Sequence, residues 1–172
     1  MKAITLTQPW ATLVAIGAKR IETRSWQSSY RGPLAIHAAK GFPRECRELC
    51  LTEPFRSALR DAGYDVPDNR PMIMNKILPL GCIVATCELT GVYSTNSRIF
   101  SFASSDISIS SETGISVGAH ELFRLPPAEP ELSFGDYSPG RYAWVLGNIK
   151  PLAVPIPAKG SLSLWEWEEG NA

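Results

Sequence analysis

Five polar side chains able to bind or transform a ligand stand within the first forty residues: Gln8, Lys19, Glu22, Arg24 and Arg31. They are interleaved with Trp10, Trp26 and Tyr30, and with proline and glycine positions that punctuate the backbone. Charged groups beside aromatic faces are what a pocket for a planar, polar ligand requires. A ring stacks on a base. An arginine offers a fork of donors to phosphate or a carbonyl oxygen, and the Gln8 carboxamide offers a donor and an acceptor to a base edge. Trp26 shares a face with the charges and is read as a ligand contact. Trp10, Trp144 and Trp165 are read as core. Lys19 and Glu22 add the means for catalysis, the carboxylate as general base on a water and the ammonium as stabiliser of an oxyanion. Arg141-Tyr142-Ala143-Trp144 repeats the mixture of charge and aromatics and is read as the opposite wall.

These residues need elements to position them. Lys2–Thr7 alternates as a first strand with Ile4 and Leu6 inward. Pro9 suits the first position of a helix, whose apolar residues Trp10, Leu13 and Val14 recur at helical spacing, and Gly17 supplies the C-terminal stop. Lys19–Trp26 reads as a strand carrying Arg20, Glu22, Arg24 and Trp26 on one face, with Thr23 on the other. Leu34–Ala38 reads as a buried strand in which His37 is a core residue. Pro43–Arg60 reads as a helix broken near Thr52-Glu53-Pro54, and Asp65–Pro71 as loop. The β-branched run after Gly81 reads as a deep strand, on which Cys82 and Cys87 take opposite faces.

The stretch 94–131 changes character. Serine is frequent and prolines gather at Pro126, Pro127 and Pro130, which reads as a long, partly mobile insertion with one short helix at His120–Phe123. Order returns at Phe134-Gly-Asp-Tyr-Ser-Pro-Gly, a turn-rich lead into a strand over Arg141–Leu146. Many short strands, few helices and no alternating strand–helix repeat predict an α+β fold, a small mixed β-barrel with a few flanking helices. The 172 residues are read as one domain.

Composition bounds the function. Seventeen basic and seventeen acidic residues cancel, so no global field marks a polyanion partner. The first fifty residues nevertheless hold eight Lys or Arg against three Glu, which permits a local basic face. Four cysteines and two histidines form no ligand spacing for zinc, and the carboxylates Glu22, Glu88, Glu121 and Asp136 are scattered over four segments. No metal or cofactor is expected. The N-terminus lacks a leader-like apolar region and no apolar run reaches membrane-spanning length, so a cytoplasmic protein with reduced thiols and no membrane contact is expected.

The segments QPWATLVAIGAKRIETRSW, YRGPLAIHAAK, FGDYSPGRYAWVL and KGSLSLWEW together resemble the ASCH domain family, over about half the chain. The family's G-x-K-x-x-x-x-R signature is met by Gly17, Lys19 and Arg24, with Glu22 in its acidic position. The resemblance implies a PUA-like barrel, a fold shared with domains that bind modified or structured RNA, and hence RNA or a modified nucleoside as partner. It carries two further implications. One branch of the family hydrolyses N4-acetylcytidine with a lysine, a nucleophilic threonine and a glutamate. Lys19 matches that lysine, but Glu22 holds the threonine's place. Another member is a metal-dependent ribonuclease.

Overall fold

The first strand alternates as expected, and its two faces feed two different cores. The computed structural model describes residues 1–96, 99–103, 120–124 and 126–168. In β1 (Lys2–Leu6), Ile4 and Leu6 enter the largest buried cluster while Ala3 enters a smaller one with Ile83 and Trp167. The chain then enters α1 (Trp10–Ala15), one residue later than expected, because Pro9 caps the helix rather than opening it. Gly17, at φ +77°, ends it in the left-handed conformation that favours glycine.

A helix of six residues is too short to persist alone. Here it is held from two sides. Ala11, Val14 and Ala15 pack into the sheet's concave face with Trp144 and Leu146, while Leu13 packs with Phe55, Leu59, Met74 and Phe134. At about 1.5–3 kcal/mol per buried large side chain, packing decides its formation.

Six strands form one mixed sheet in the order β2–β7–β4–β3–β1–β8, curled as a half-barrel. They are β2 (Ile21–Arg24), β3 (Gly32–Ala38), β4 (Cys82–Ser94), β7 (Tyr142–Pro157) and β8 (Leu164–Glu166) besides β1. β1 and β3 run parallel and the other neighbours antiparallel. The long pair β4–β7 shifts register at Ile83/Ala85, Thr86/Glu88 and Leu89/Gly91. Bulges of this kind bend a strand and sharpen its twist. They also flip the alternation, so Cys82 and Cys87 both reach the main core rather than opposite faces. β7 continues through Pro151, Pro155 and Pro157 because β2 covers only its start, Tyr142–Val145, leaving one edge of the remainder unpaired.

The expected broken helix is present as α2 (Arg44–Leu49) and α3 (Phe55–Asp61), and α4 (Met74–Ile77) completes the helical layer. In the insertion, His120–Arg124 is a strand, β6, paired antiparallel with β5 (Ile99–Ala103), and not a helix. Five residues gain little as an isolated helix, whereas a paired strand satisfies its backbone on a partner. Residues 104–119, expected as mobile, lie outside the described residues. Among the described residues no helix is long and apolar enough to cross a membrane.

Candidate functional site

Lys19 lies two residues ahead of β2 and is 1% exposed. The turn after Gly17 drives its side chain inward, where Nζ donates to the carbonyls of Ile21 at 2.5 Å and Phe134 at 2.8 Å and stands 3.6 Å from Glu22 Oε2. Two of the ammonium's three donors go to these carbonyls, and Glu22 is its ion-pair partner beyond hydrogen-bond distance. Burial lowers the lysine's pKa, against the pull of Glu22 and Glu131.

Glu22 projects from the opposite side of β2 to Ile21 and Thr23. Its second oxygen, Oε1, lies 3.1 Å from Arg24 Nε. Arg24 Nη2 in turn donates to the Thr5 carbonyl at 3.0 Å. β2 is one edge of the sheet and β1 lies next to the other edge, so Arg24 ties the half-barrel across its open side while it holds Glu22. The backbone entering β2 is fixed by Glu131, whose two carboxylate oxygens accept the N–H groups of Arg20 at 2.7 Å and Ile21 at 3.0 Å. Burial pushes Glu131's pKa up, opposed by those N–H bonds and by Lys19. Burial and the Glu131 and Glu22 carboxylates push the neighbouring Tyr137 phenol up as well.

In front of Glu22 opens a hollow of about 380 Å³. Trp10, Leu49, Phe55 and Phe134 supply its apolar wall, and Glu22, Asp136 and Arg141 its charged groups. The rings are locked edge-to-face, Trp10 on Phe55 at 6.2 Å and Phe55 on Phe134 at 5.1 Å between centroids. The Phe134 carbonyl that Lys19 binds therefore belongs to the same wall. Arg141 Nε sits 3.2 Å from Asp136 Oδ2, and the Ser138 hydroxyl and N–H hold the Asp136 carboxyl below its ordinary pKa. Thr23 also borders the hollow, its hydroxyl accepting the Asp136 N–H at 3.0 Å. The arrangement presents an anionic acceptor at an aromatic slot, with a guanidinium beside it.

The residues singled out in the sequence divide accordingly. Glu22 and Arg141 line the hollow, and Lys19 and Arg24 hold Glu22 from behind. Gln8 is fully buried, its carboxamide donating to Pro79 O at 2.8 Å and accepting Thr12 N–H at 3.0 Å, so it serves α1. Trp26 packs edge-to-face on Trp144 at 4.6 Å as part of the main core. Tyr30 donates to Pro33 O, and Arg31 donates to the Ser28 and Tyr30 carbonyls. The strand ends at Arg24, which is why Trp26 leaves the charged face. Trp10, read as core in the sequence, lines the hollow instead. Phe55, Phe134, Asp136 and Glu131 were not foreseen; the FGDYSPGRYAW motif was the signal that contained two of them. Among the described residues no group of three His, Cys, Asp or Glu converges as a metal-binding set.

Comparison with known proteins identifies the family of the chain. The model of the ASCH domain matches residues 4–146, a span that includes every residue of the hollow. Activating signal cointegrator 1 of Homo sapiens is 27% identical over 165 residues, covering 95% of this chain and 22% of that protein. The Mus musculus protein of the same name is 25% identical over the same length and shares. The chain thus spans about a fifth of the length of these relatives.

Proposed function

The chain belongs to the ASCH domain family, and from that premise we propose that it is an RNA-binding domain which seats one base in the hollow between Trp10 and Glu22. One observation carries the reading: a carboxylate held between two cations faces an aromatic-walled hollow of about 380 Å³. That size falls in the roughly 300–1,000 Å³ range of small-ligand pockets, so it suits a single base and not a duplex. A carboxylate only accepts hydrogen bonds, and among base edges it pairs with those that present N–H groups, such as cytosine N4. Such an edge is free only in single-stranded or flipped-out nucleotides. Arg141 is placed to take a carbonyl or phosphate oxygen. The domain acts as one unit, with residues 94–131 inserted in it, and the reading concerns this domain and not the longer relatives.

Hydrolysis of an N4-acylated cytidine is the second reading, and the Lys19–Glu22 pair favours it. In that scheme Glu22 takes a proton from the water that attacks the acetyl carbonyl carbon and returns it to N4 as the C–N bond breaks, releasing acetate and cytidine. Against it stands Lys19, whose buried ammonium is already bound to two carbonyls and paired with Glu22. Titration calorimetry with cytidine, uridine and N4-acetylcytidine, with acetate release measured in parallel, tests both. Cytidine binding without turnover supports the binding domain. Acetate release that requires Glu22 supports the hydrolase, and equal binding of uridine and cytidine contradicts the role given to Glu22.

A further inference from the structure

A second hollow, of about 670 Å³, shares no lining residue with the first. Thr5 borders one and Trp10 the other. Its walls are mostly apolar, from Ala39, Leu80 and Pro157 among others, and no acidic residue lines it. Its charged groups are Lys40 and Lys159, both exposed, and neither makes an ion pair among the described residues. The segment carrying Lys159 is held in place. Thr5 Oγ1 donates to Ser161 O at 2.9 Å and accepts Trp165 Nε1 at 3.2 Å. At Gly160 a Cβ would fall 2.3 Å from His37 Cε1 and 2.5 Å from Nδ1, so only glycine lets this segment close on the histidine.

His37 is the second mark of a ligand. It is 2% exposed and borders the hollow. Its Nε2 lies 3.0 Å from Ala158 O, which makes Nε2 the protonated nitrogen. Nδ1 is buried without a hydrogen-bond partner. The unpaired Nδ1 is an acceptor in want of a donor, such as a sugar hydroxyl, while the two uncompensated lysines at the same hollow are short of an anion.

We propose that this second hollow takes the phosphate of a nucleotide, and that the phosphate belongs to the same RNA strand whose base fills the first hollow. The inference rests on the base-binding reading. Five residues separate Thr5 from Trp10, a chain that spans at most about 18 Å, within reach of a short oligonucleotide. The strand passes over Thr5 and Thr7, the half-exposed residues of this connection, and Lys40 and Lys159 neutralise the phosphate beyond them while the apolar wall receives the attached sugar or base.

The test compares cytidine, cytidine 5′-monophosphate and the trinucleotide UCU on the full chain, by calorimetry over a salt series and by NMR of the His37 ring. UCU is expected to bind at least about tenfold more tightly than cytidine and to shift the His37 signals. The Lys40→Ala/Lys159→Ala double variant, checked for an unchanged melting temperature, is expected to lose that gain and to lower the salt slope by roughly 0.7, the value for one phosphate contact on a single strand. Cytidine binding with no gain for UCU, or a gain that the double variant keeps, overturns the inference and leaves the base pocket standing. Shifts of His37 by the monophosphate without any gain for UCU make the hollow a site for free nucleotides and also overturn it. Failure of cytidine with lysine-dependent binding of UCU overturns the base pocket instead.

Discussion

Lys19 Nζ stands 3.6 Å from Glu22 Oε2 while donating to the carbonyls of Ile21 and Phe134. The lysine therefore joins the strand, the aromatic wall and the carboxylate at one buried point. Taking away one partner of such a group strands the others in low dielectric. Lys19→Met is expected to cost about 3–5 kcal/mol of stability, read by urea denaturation. A loss under 1 kcal/mol would mean that the ammonium is not the joint described here.

Glu22→Gln replaces an acceptor-only group by a mixed one at nearly constant volume. Affinity for cytidine is expected to fall about 5- to 100-fold, the range of roughly 1–3 kcal/mol that a good base contact supplies. Uridine, which lacks the exocyclic amine, is expected to change little. Calorimetry on both nucleosides checks this, and equal losses for the two would remove Glu22 from base reading.

Trp10 and Trp26, both half-buried, are expected to separate function from stability. Trp10→Leu keeps an apolar contact with Phe55 but removes the stacking face, so binding weakens by about 1–3 kcal/mol with a small change in stability. Trp26→Leu breaks the edge-to-face contact with Trp144, worth about 0.5–1.5 kcal/mol beyond its buried area, and lowers the melting temperature with little effect on binding. The reverse pattern would restore Trp26 as the ligand contact.

His37 gives the fold a pH dependence with a definite sign. Burial lowers its pKa from the ordinary 6.5, partly offset by the Ala158 carbonyl. As pH falls below about 6.5, the unfolded chain takes up a proton that the folded ring resists, so stability declines until the folded pKa is passed, at most about 1.4 kcal/mol per pH unit. Glu131 acts in the opposite sense in its own window. Its raised pKa favours the folded state at low pH and the benefit is lost as pH rises through that folded value. The difference between wild type and His37→Gln in urea midpoints from pH 5 to 7.5 isolates the histidine, and parallel profiles would refute the assignment.

What the sequence disclosed follows from how local each signal is. Gly17, the Thr52–Pro54 break and the alternation in β1 are set by neighbours a few residues away, and they appear where expected. Pairing across long separations is not written locally. Glu131 reaches the backbone of Arg20 and Ile21 from more than a hundred residues on, and bulges in β4 reassign its faces with no sign in composition. The same limit explains Trp26 and His120–Phe123. The end of β2 and the pairing of β6 with β5 depend on distant partners. For the candidate site, the resemblance and the hollow fall in the same stretch, whereas the surroundings of individual side chains needed three dimensions. Gln8, Arg31 and Tyr30 have the chemistry of ligand contacts and spend it on the backbone.

The most direct measurement is the NMR response of the five tryptophan indole N–H signals to cytidine. The base pocket predicts that the Trp10 signal moves with saturation while those of Trp26 and Trp144 stay in place, and that Glu22→Gln weakens the response. Movement of Trp26 without Trp10, or no movement at any concentration that saturates binding, contradicts it.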